Sequence, residues 1–138
     1  TRAEALVLLV NAIGLEPDST YNTFKDVPNS SFAAGHVGIA LQNGIINGFT
    51  DGTFRGNQAV TRAEMSIMIA NAFQLAASSE KISFSDVNTN VTGYDAIQRV
   101  VANKIAQGYT DGSFKPYEKM NRATYAVFIS RAINDKLQ

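Results

Sequence analysis

A chain of 138 residues has the size of one compact domain or of a few small repeats that share a core. With 45% apolar residues, 17% charged residues and three prolines, its composition is that of a folded globular protein and excludes disorder as the main state. Twelve Lys plus Arg balance twelve Asp plus Glu, so no global field exists to hold a nucleic acid or an anionic membrane, and any anion site must be local. The absence of cysteine and the presence of a single histidine, His36, exclude a disulfide scaffold, thiolate zinc, a thiol nucleophile and a histidine-rich metal cluster.

The first predicted element is a helix at residues 1–14. Thr1 is its N-cap and Glu4 sits at N3, the spacing of a capping box. Ala5, Leu8, Leu9, Ala12 and Ile13 recur at helical spacing, and Leu6, Val7 and Val10 widen the apolar face. The run at residues 5–10 is too short to span a bilayer, and because its pattern recurs deeper in the chain it reads as folded structure, not as a leader. The start at Thr in place of Met suggests a processed chain or a piece of a longer one. A Phe24-Lys25-Asp26-Val27 segment leads to a short helix carrying Val37, Ala40 and Leu41, which stops at Asn43-Gly44. Thr50-Asp51-Gly52-Thr53-Phe54 then reads as a tight turn, with Asp51 capping its own backbone and Gly52 supplying a positive φ.

Thr61 and Glu64 form a second capping box, with Val60 and Met65 in staple positions. The helix they start carries Met65, Met68, Ile69, Ala72 and Phe73, flanked by Ile67 and Ala70. Phe84-Ser85-Asp86-Val87, a helix with Ile97, Val100 and Val101 that stops near Asn103, and the turn Thr110-Asp111-Gly112-Ser113-Phe114 repeat the earlier elements. The last helix starts at Asn121, with Met120 and Tyr125 as staple and Thr124 where glutamate stood. It carries Phe128, Ile129, Ala132 and Ile133, with Ala126 and Val127 beside them. The offset is 60 residues throughout, and residues 24–72 and 84–132 share 14 identities in 49 ungapped positions. The expected architecture is therefore all-α: tandem helix-loop-helix repeats in which three apolar helices, one per copy, pack together. The units are 1–15, the C-terminal helix of a first copy, then 22–75 and 82–138. No strand longer than a few residues is supported.

Arg2, Arg62 and Arg122 all occupy the first helical position, where the helix dipole mildly disfavours a cation, by roughly 0.3–1 kcal/mol. A guanidinium beside unpaired helix-end amides makes an anion receptor that matches a carboxylate in bidentate fashion. Equally, each arginine can pair with a nearby aspartate, such as Asp26, Asp86, Asp51 or Asp111, and pin a loop to the core. An EF-hand reading of the turns fails at Phe49 and Gln58 in one copy and at Tyr109 in the other, which leaves plain turns. Gly48 and Gly108 can serve as points where a ligand approaches the backbone closely. Phe32 and Tyr94, just before the short helices, are either staples or platforms on which the C–H face of a sugar stacks. His36 reads as a solvent-facing helix residue without a catalytic pattern, and no acid/base carboxylate pair can be nominated.

The order Phe-x-Asp-Val, short helix, Gly44-Ile45-Ile46-Asn47-Gly48-Phe49-Thr50-Asp51-Gly52-Thr53-Phe54-Arg55, then Val60-Thr61-Arg62-Ala63-Glu64, resembles the S-layer homology domain over essentially the whole chain. The resemblance implies a pseudo-threefold bundle of three tandem copies and a non-enzymatic, extracellular role at the bacterial cell wall or surface layer. The implied partner is secondary cell-wall polysaccharide, recognised through pyruvylated N-acetylmannosamine; no cofactor, metal, nucleic acid or membrane is implied. Arg2, Arg62 and Arg122 would bind the carboxylate, Phe32 stands where the family usually has a groove tryptophan, and Asp26, Asp86, Gly48 and Gly108 would line the grooves. Thr92 replaces the aromatic in the last copy, with Tyr94 two residues on. Asn121, Thr124, Lys104 and Gly56 also depart from the pattern, so the last site is expected to be degenerate. The first copy has no loop region in this chain, so one groove is expected to be incomplete unless upstream residues or another chain supply it. The competing expectation is a protein–protein assembly module of a surface layer, with structural arginines; wall-degrading activity is a weaker third.

Overall fold

The computed structural model describes residues 1–77 and 79–136. Residues 137 and 138, the end of the third expected unit, lie outside the described residues. The regular elements are α1 (Arg2–Ile13), a 3-10 turn (Ser19–Tyr21), α2 (Ala34–Gln42), α3 (Arg62–Phe73), α4 (Tyr94–Ala102) and α5 (Arg122–Lys136). Extended backbone among the described residues pairs only as two isolated bridges, Thr61 with Lys119 and Phe84 with Val87. The fold is all-α.

The helix starts follow the capping chemistry. The Thr61 hydroxyl accepts from the Glu64 amide at 3.1 Å and the Glu64 Oε1 accepts from the Thr61 amide at 2.9 Å; Thr1 and Glu4 form the same box. At α5, Asn121 Oδ1 accepts from the Thr124 amide at 2.9 Å, and the Thr124 hydroxyl turns back to the Asn121 carbonyl at 2.9 Å, so the reciprocal bond is lost. Val60, Met65, Met120 and Tyr125 are all buried. Helices α1, α3 and α5 each touch the other two; α2 packs on α1, and α4 on α3.

Two expectations about surfaces need correction. The buried face of α1 is Ala5, Leu6, Leu9 and Val10, while Leu8 is half-buried and Ala12 exposed. The helix is apolar nearly all round, so tertiary contacts and not periodicity choose the face. His36 is half-buried, with Nε2 3.0 Å from Asn11 Oδ1, because α2 lies against α1; burial pushes its pKa down and favours the neutral ring.

The loops between short and central helices are held by long-range acceptors. Asp26 accepts from the amides of Phe54 and Arg55, both at 2.8 Å, and Asp86 accepts from those of Phe114 and Lys115 at 2.9 and 2.8 Å. Arg55 and Lys115 have φ of 60° and 58°, a left-handed conformation that costs roughly 1–2 kcal/mol for a residue with a side chain. The aspartate offsets that cost by taking two successive amides at once. Under each loop the rings of Phe24 and Phe54, or Phe84 and Phe114, lie 5.7 and 5.3 Å apart. A Cβ on Gly48 would stand 2.1 Å from Phe24 Cε1, and one on Gly108 2.3 Å from Phe84 Cε1. The rings beneath account for both glycines.

The copies hold their leading segments differently. In one, Gly38 lets the backbone of Asp18 approach so closely that a Cβ would meet its carbonyl oxygen at 2.2 Å. Sixty residues on, buried Gln98 accepts from the Ile82 amide at 2.8 Å and donates to its carbonyl at 2.7 Å, imitating a backbone pair.

Asp86→Ala removes the acceptor of two loop amides, that of Phe114 partly buried and that of Lys115 exposed. It is expected to lower unfolding free energy by about 1–3 kcal/mol in urea titrations, with Asp86→Asn intermediate. Asp51 and Asp111 are held below the usual carboxylate range, first by the hydroxyls of Thr53 and Ser113 and then by the amides of those residues. A depressed folded pKa adds stability above the unfolded pKa and loses it as pH falls through the folded value. The double variant Asp51→Asn, Asp111→Asn should therefore show a lower urea midpoint than the parent at neutral pH, with the gap closing as acid protonates both carboxylates in the folded state.

Candidate functional site

Arg2 and Arg62 are the two buried charged side chains among the described residues, 7% and 8% exposed. Each sits at the start of a central helix and reaches into the following loop. Arg2 Nε donates to the Phe54 carbonyl at 3.0 Å, and Arg62 Nε to the Phe114 carbonyl at 2.9 Å. Aromatic faces surround both. The Arg2 guanidinium carbon lies 5.0 Å from the ring centres of Phe49 and Phe54; that of Arg62 lies 5.1, 4.4 and 5.4 Å from Tyr109, Phe114 and Phe128. Arg55 also lies over Phe49, at 3.7 Å, and Lys115 over Tyr109, at 4.2 Å. Each loop aromatic is thus flanked by two cations.

The helix-end amides are not free, contrary to the anion receptor drawn from the sequence. The Arg2 and Ala3 amides donate to the carbonyls of Gln58 and Gly56 at 2.8 and 3.0 Å, and those of Arg62 and Ala63 to Glu118 and Pro116 at 2.9 and 2.8 Å. The next loop has taken those donors, so anion chemistry at α1 and α3 falls to the guanidinium alone.

The second guanidinium contact separates the two sites. Arg2 Nη1 donates to Glu64 Oε2 at 2.5 Å, an ion pair; the same carboxylate uses Oε1 in its own capping box. Arg62 Nη2 donates to the Gln107 carbonyl at 2.9 Å, and no carboxylate pairs with Arg62 among the described residues. Burial lowers both pKa values. At Arg2 the Glu64 carboxylate is the main opposing influence, whereas at Arg62 only the more remote Tyr109, Glu118 and Asp86 oppose it. A guanidinium keeps its proton in either setting. Arg62 is therefore a desolvated cation neutralised by carbonyl dipoles and ring faces, and a partly buried charge of that kind gains most from an incoming anion.

The remaining candidates divide by position. Arg122 is exposed at the start of α5. Phe32 is 70% exposed and lines a cleft of about 310 Å³ with Ala3, Asp26, Phe54 and Arg55. Tyr94 is half-buried as the first residue of α4, not before it, with Lys81 Nζ 5.7 Å from its ring centre. Asp26 and Asp86 spend both carboxylate oxygens on loop amides. Gly48 lines a cleft of about 290 Å³ with Arg2, Phe49, Glu64, Ile67 and Thr92. No group of three or more His, Asp or Glu side chains among the described residues could hold a metal, and no helix there is long and apolar enough to cross a membrane.

Sequence reasoning missed Glu64 as the partner of Arg2, the aromatics Phe49 and Tyr109, and the Gln107 carbonyl. The aromatics left a signal, since both stand at one register right after Gly48 and Gly108. The ion pair left only the break at Thr124.

Several relatives match along most of the chain, three of them as follows. An endoglucanase of Bacillus sp. (strain KSM-635) is 32% identical over 94% of this chain and 14% of its own length. A cellulosome-anchoring protein of Acetivibrio thermocellus is 29% identical over 96% of this chain and 32% of its own, and the surface-layer 125 kDa protein of Lysinibacillus sphaericus 28% over 98% and 12%. The chain thus spans between 12% and 32% of these relatives. The S-layer homology domain profile matches residues 23–66 and 83–126, more than half of the chain, and each match begins ahead of an aspartate clamp and ends just past a buried or exposed helix-start arginine. The chain belongs to the S-layer homology domain family.

Proposed function

We propose that this chain is a non-catalytic module that holds a larger protein at the bacterial cell surface by binding an acidic sugar of the cell-wall polymer. The observation that carries the reading is Arg62: a buried guanidinium with two carbonyl contacts, three ring faces and no internal carboxylate. A pyruvate ketal, as in pyruvylated N-acetylmannosamine of secondary cell-wall polysaccharide, brings one carboxylate on a ring whose C–H face suits an aromatic platform. Tyr109, 38% exposed, is the aromatic beside Arg62 for such a ring, and Phe32 is a platform in the cleft lined by Arg55. Arg122 is a further cation for the same class of ligand, and Tyr94 a second, half-buried platform. Asp26, Asp86, Gly48 and Gly108 act by holding the loops in place. The mutual contacts of α1, α3 and α5 support the pseudo-threefold arrangement. Kinship with a cellulosome-anchoring protein and a surface-layer protein supports anchoring at the cell surface, and the endoglucanase overlaps this chain over only 14% of its length.

The assembly reading, with structural arginines, is favoured at one position, where Arg2 already pairs with Glu64. Co-sedimentation with purified sacculi separates the two readings. Arg62→Ala should weaken binding at least about tenfold, or roughly 1.4 kcal/mol, and sacculi stripped of pyruvyl groups should bind the parent as poorly as they bind the variant. Arg62→Lys, which keeps the charge but not the fork, tests geometry, and thermal melts report folding. A lower melting temperature with undiminished polymer binding would establish the assembly reading instead.

A further inference from the structure

We propose that the cleft between the end of α4 and the side of α5 is a phosphate site, in which Lys104 and Arg131 hold one phosphate group between them. The site is additional to the carboxylate reading of Arg62 and does not depend on it.

The cleft, about 420 Å³, is lined by Val101, Lys104, Ala106, Gln107 and Arg131. Lys104, Gln107 and Arg131 are exposed, while Ala106 is buried and forms part of its wall. Two cations and no acid therefore face one cavity, an arrangement that concentrates positive potential inside it. Neither cation makes an ion pair among the described residues, although Asp135 follows Arg131 by one turn of α5. Arg131 Nη1 donates to the Ile105 carbonyl at 3.4 Å, which tethers the guanidinium at the cleft.

Sixty residues earlier the same two positions are neutral. Gly44 stands at the register of Lys104 and Asn71 at that of Arg131, and Asn71 Nδ2 donates to the Ile45 carbonyl at 3.1 Å as Arg131 does to that of Ile105. The cleft there, about 390 Å³, includes residues of α4, and its one cation, Arg99, is already paired with Asp95 at 2.6 Å. Lys104 has φ of 62°, at a register where Gly44, φ 72°, is the unstrained choice. The last copy thus accepts a left-handed lysine where glycine would serve the backbone better, and strain of that kind is tolerated where the side chain it places has a use.

One carboxylate would leave one of the two charges unmatched. A phosphate group presents several oxygens at once, to the planar fork of arginine and to the point charge of lysine. Free phosphate and the phosphodiesters of an anionic cell-wall polymer share that chemistry.

Amide NMR titrations of the whole chain at constant ionic strength, with inorganic phosphate, a glycerol phosphate oligomer and pyruvate in parallel, test the site. Saturable shifts should appear at residues 104–107 with a phosphate probe, and pyruvate should bind there at least about tenfold more weakly. Tighter binding of the oligomer identifies a polymer phosphate as the ligand, and tighter binding of inorganic phosphate identifies the free ion. Lys104→Gly and Arg131→Asn, which install the residues of the earlier copy, should each weaken the phosphate response at least about tenfold, with thermal melts reporting folding. Lys104→Gln and Arg131→Gln serve the same reading should either of those fail to fold. No saturable response to either phosphate probe, an equal response to pyruvate, or undiminished binding in a folded variant of either residue would each overturn the proposal.

Discussion

A buried guanidinium that gives its Nε proton to a carbonyl in the next loop is the joint on which this structure turns. At Arg2 and Arg62 that bond crosses 52 residues, and the backbone around it completes the start of the helix: the first two amides of α1 and α3 go to carbonyls of the same loop. A hydrogen bond from a charged donor contributes about 1.5–3 kcal/mol, more than a neutral one. The aspartate clamp, the left-handed Arg55 or Lys115 and the ring pair beneath fix the shape of that loop.

With the frame common to both sites, the difference between them reduces to the counter-charge. Glu64 neutralises Arg2 from within the fold; carbonyl dipoles and ring quadrupoles neutralise Arg62 only in part. Two arginines at the same register of the repeat thus differ in one respect: a carboxylate meets Arg2, and a carbonyl meets Arg62.

Local chemistry was legible in the sequence and long-range partnership was not. The caps at Thr1, Thr61 and Asn121, the buried staples, the Asp51 and Asp111 turns with Gly52 and Gly112 at φ 83° and 87°, and the all-helical class follow from signals spanning a few residues. The roles of Asp26 and Asp86 did not, because their partners lie 28 and 29 residues away. Nor did the left-handed Arg55 and Lys115, which no glycine announces. The occupied helix-end amides were misread for the same reason, since a capping pattern says which donors are free of the helix but not what arrives to meet them. His36 and the face of α1 went astray where neighbouring helices overruled helical spacing.

The carbonyls that finish α1 and α3 come from backbone more than fifty residues later in the chain. No one copy is then a self-sufficient piece: cut between copies, and a helix loses both its amide acceptors and the seat of its arginine. Such a module should yield as a unit when pulled rather than bead by bead, a useful property in a mooring. Gain or loss of a copy during evolution would change the number of completed junctions, not simply the number of independent parts.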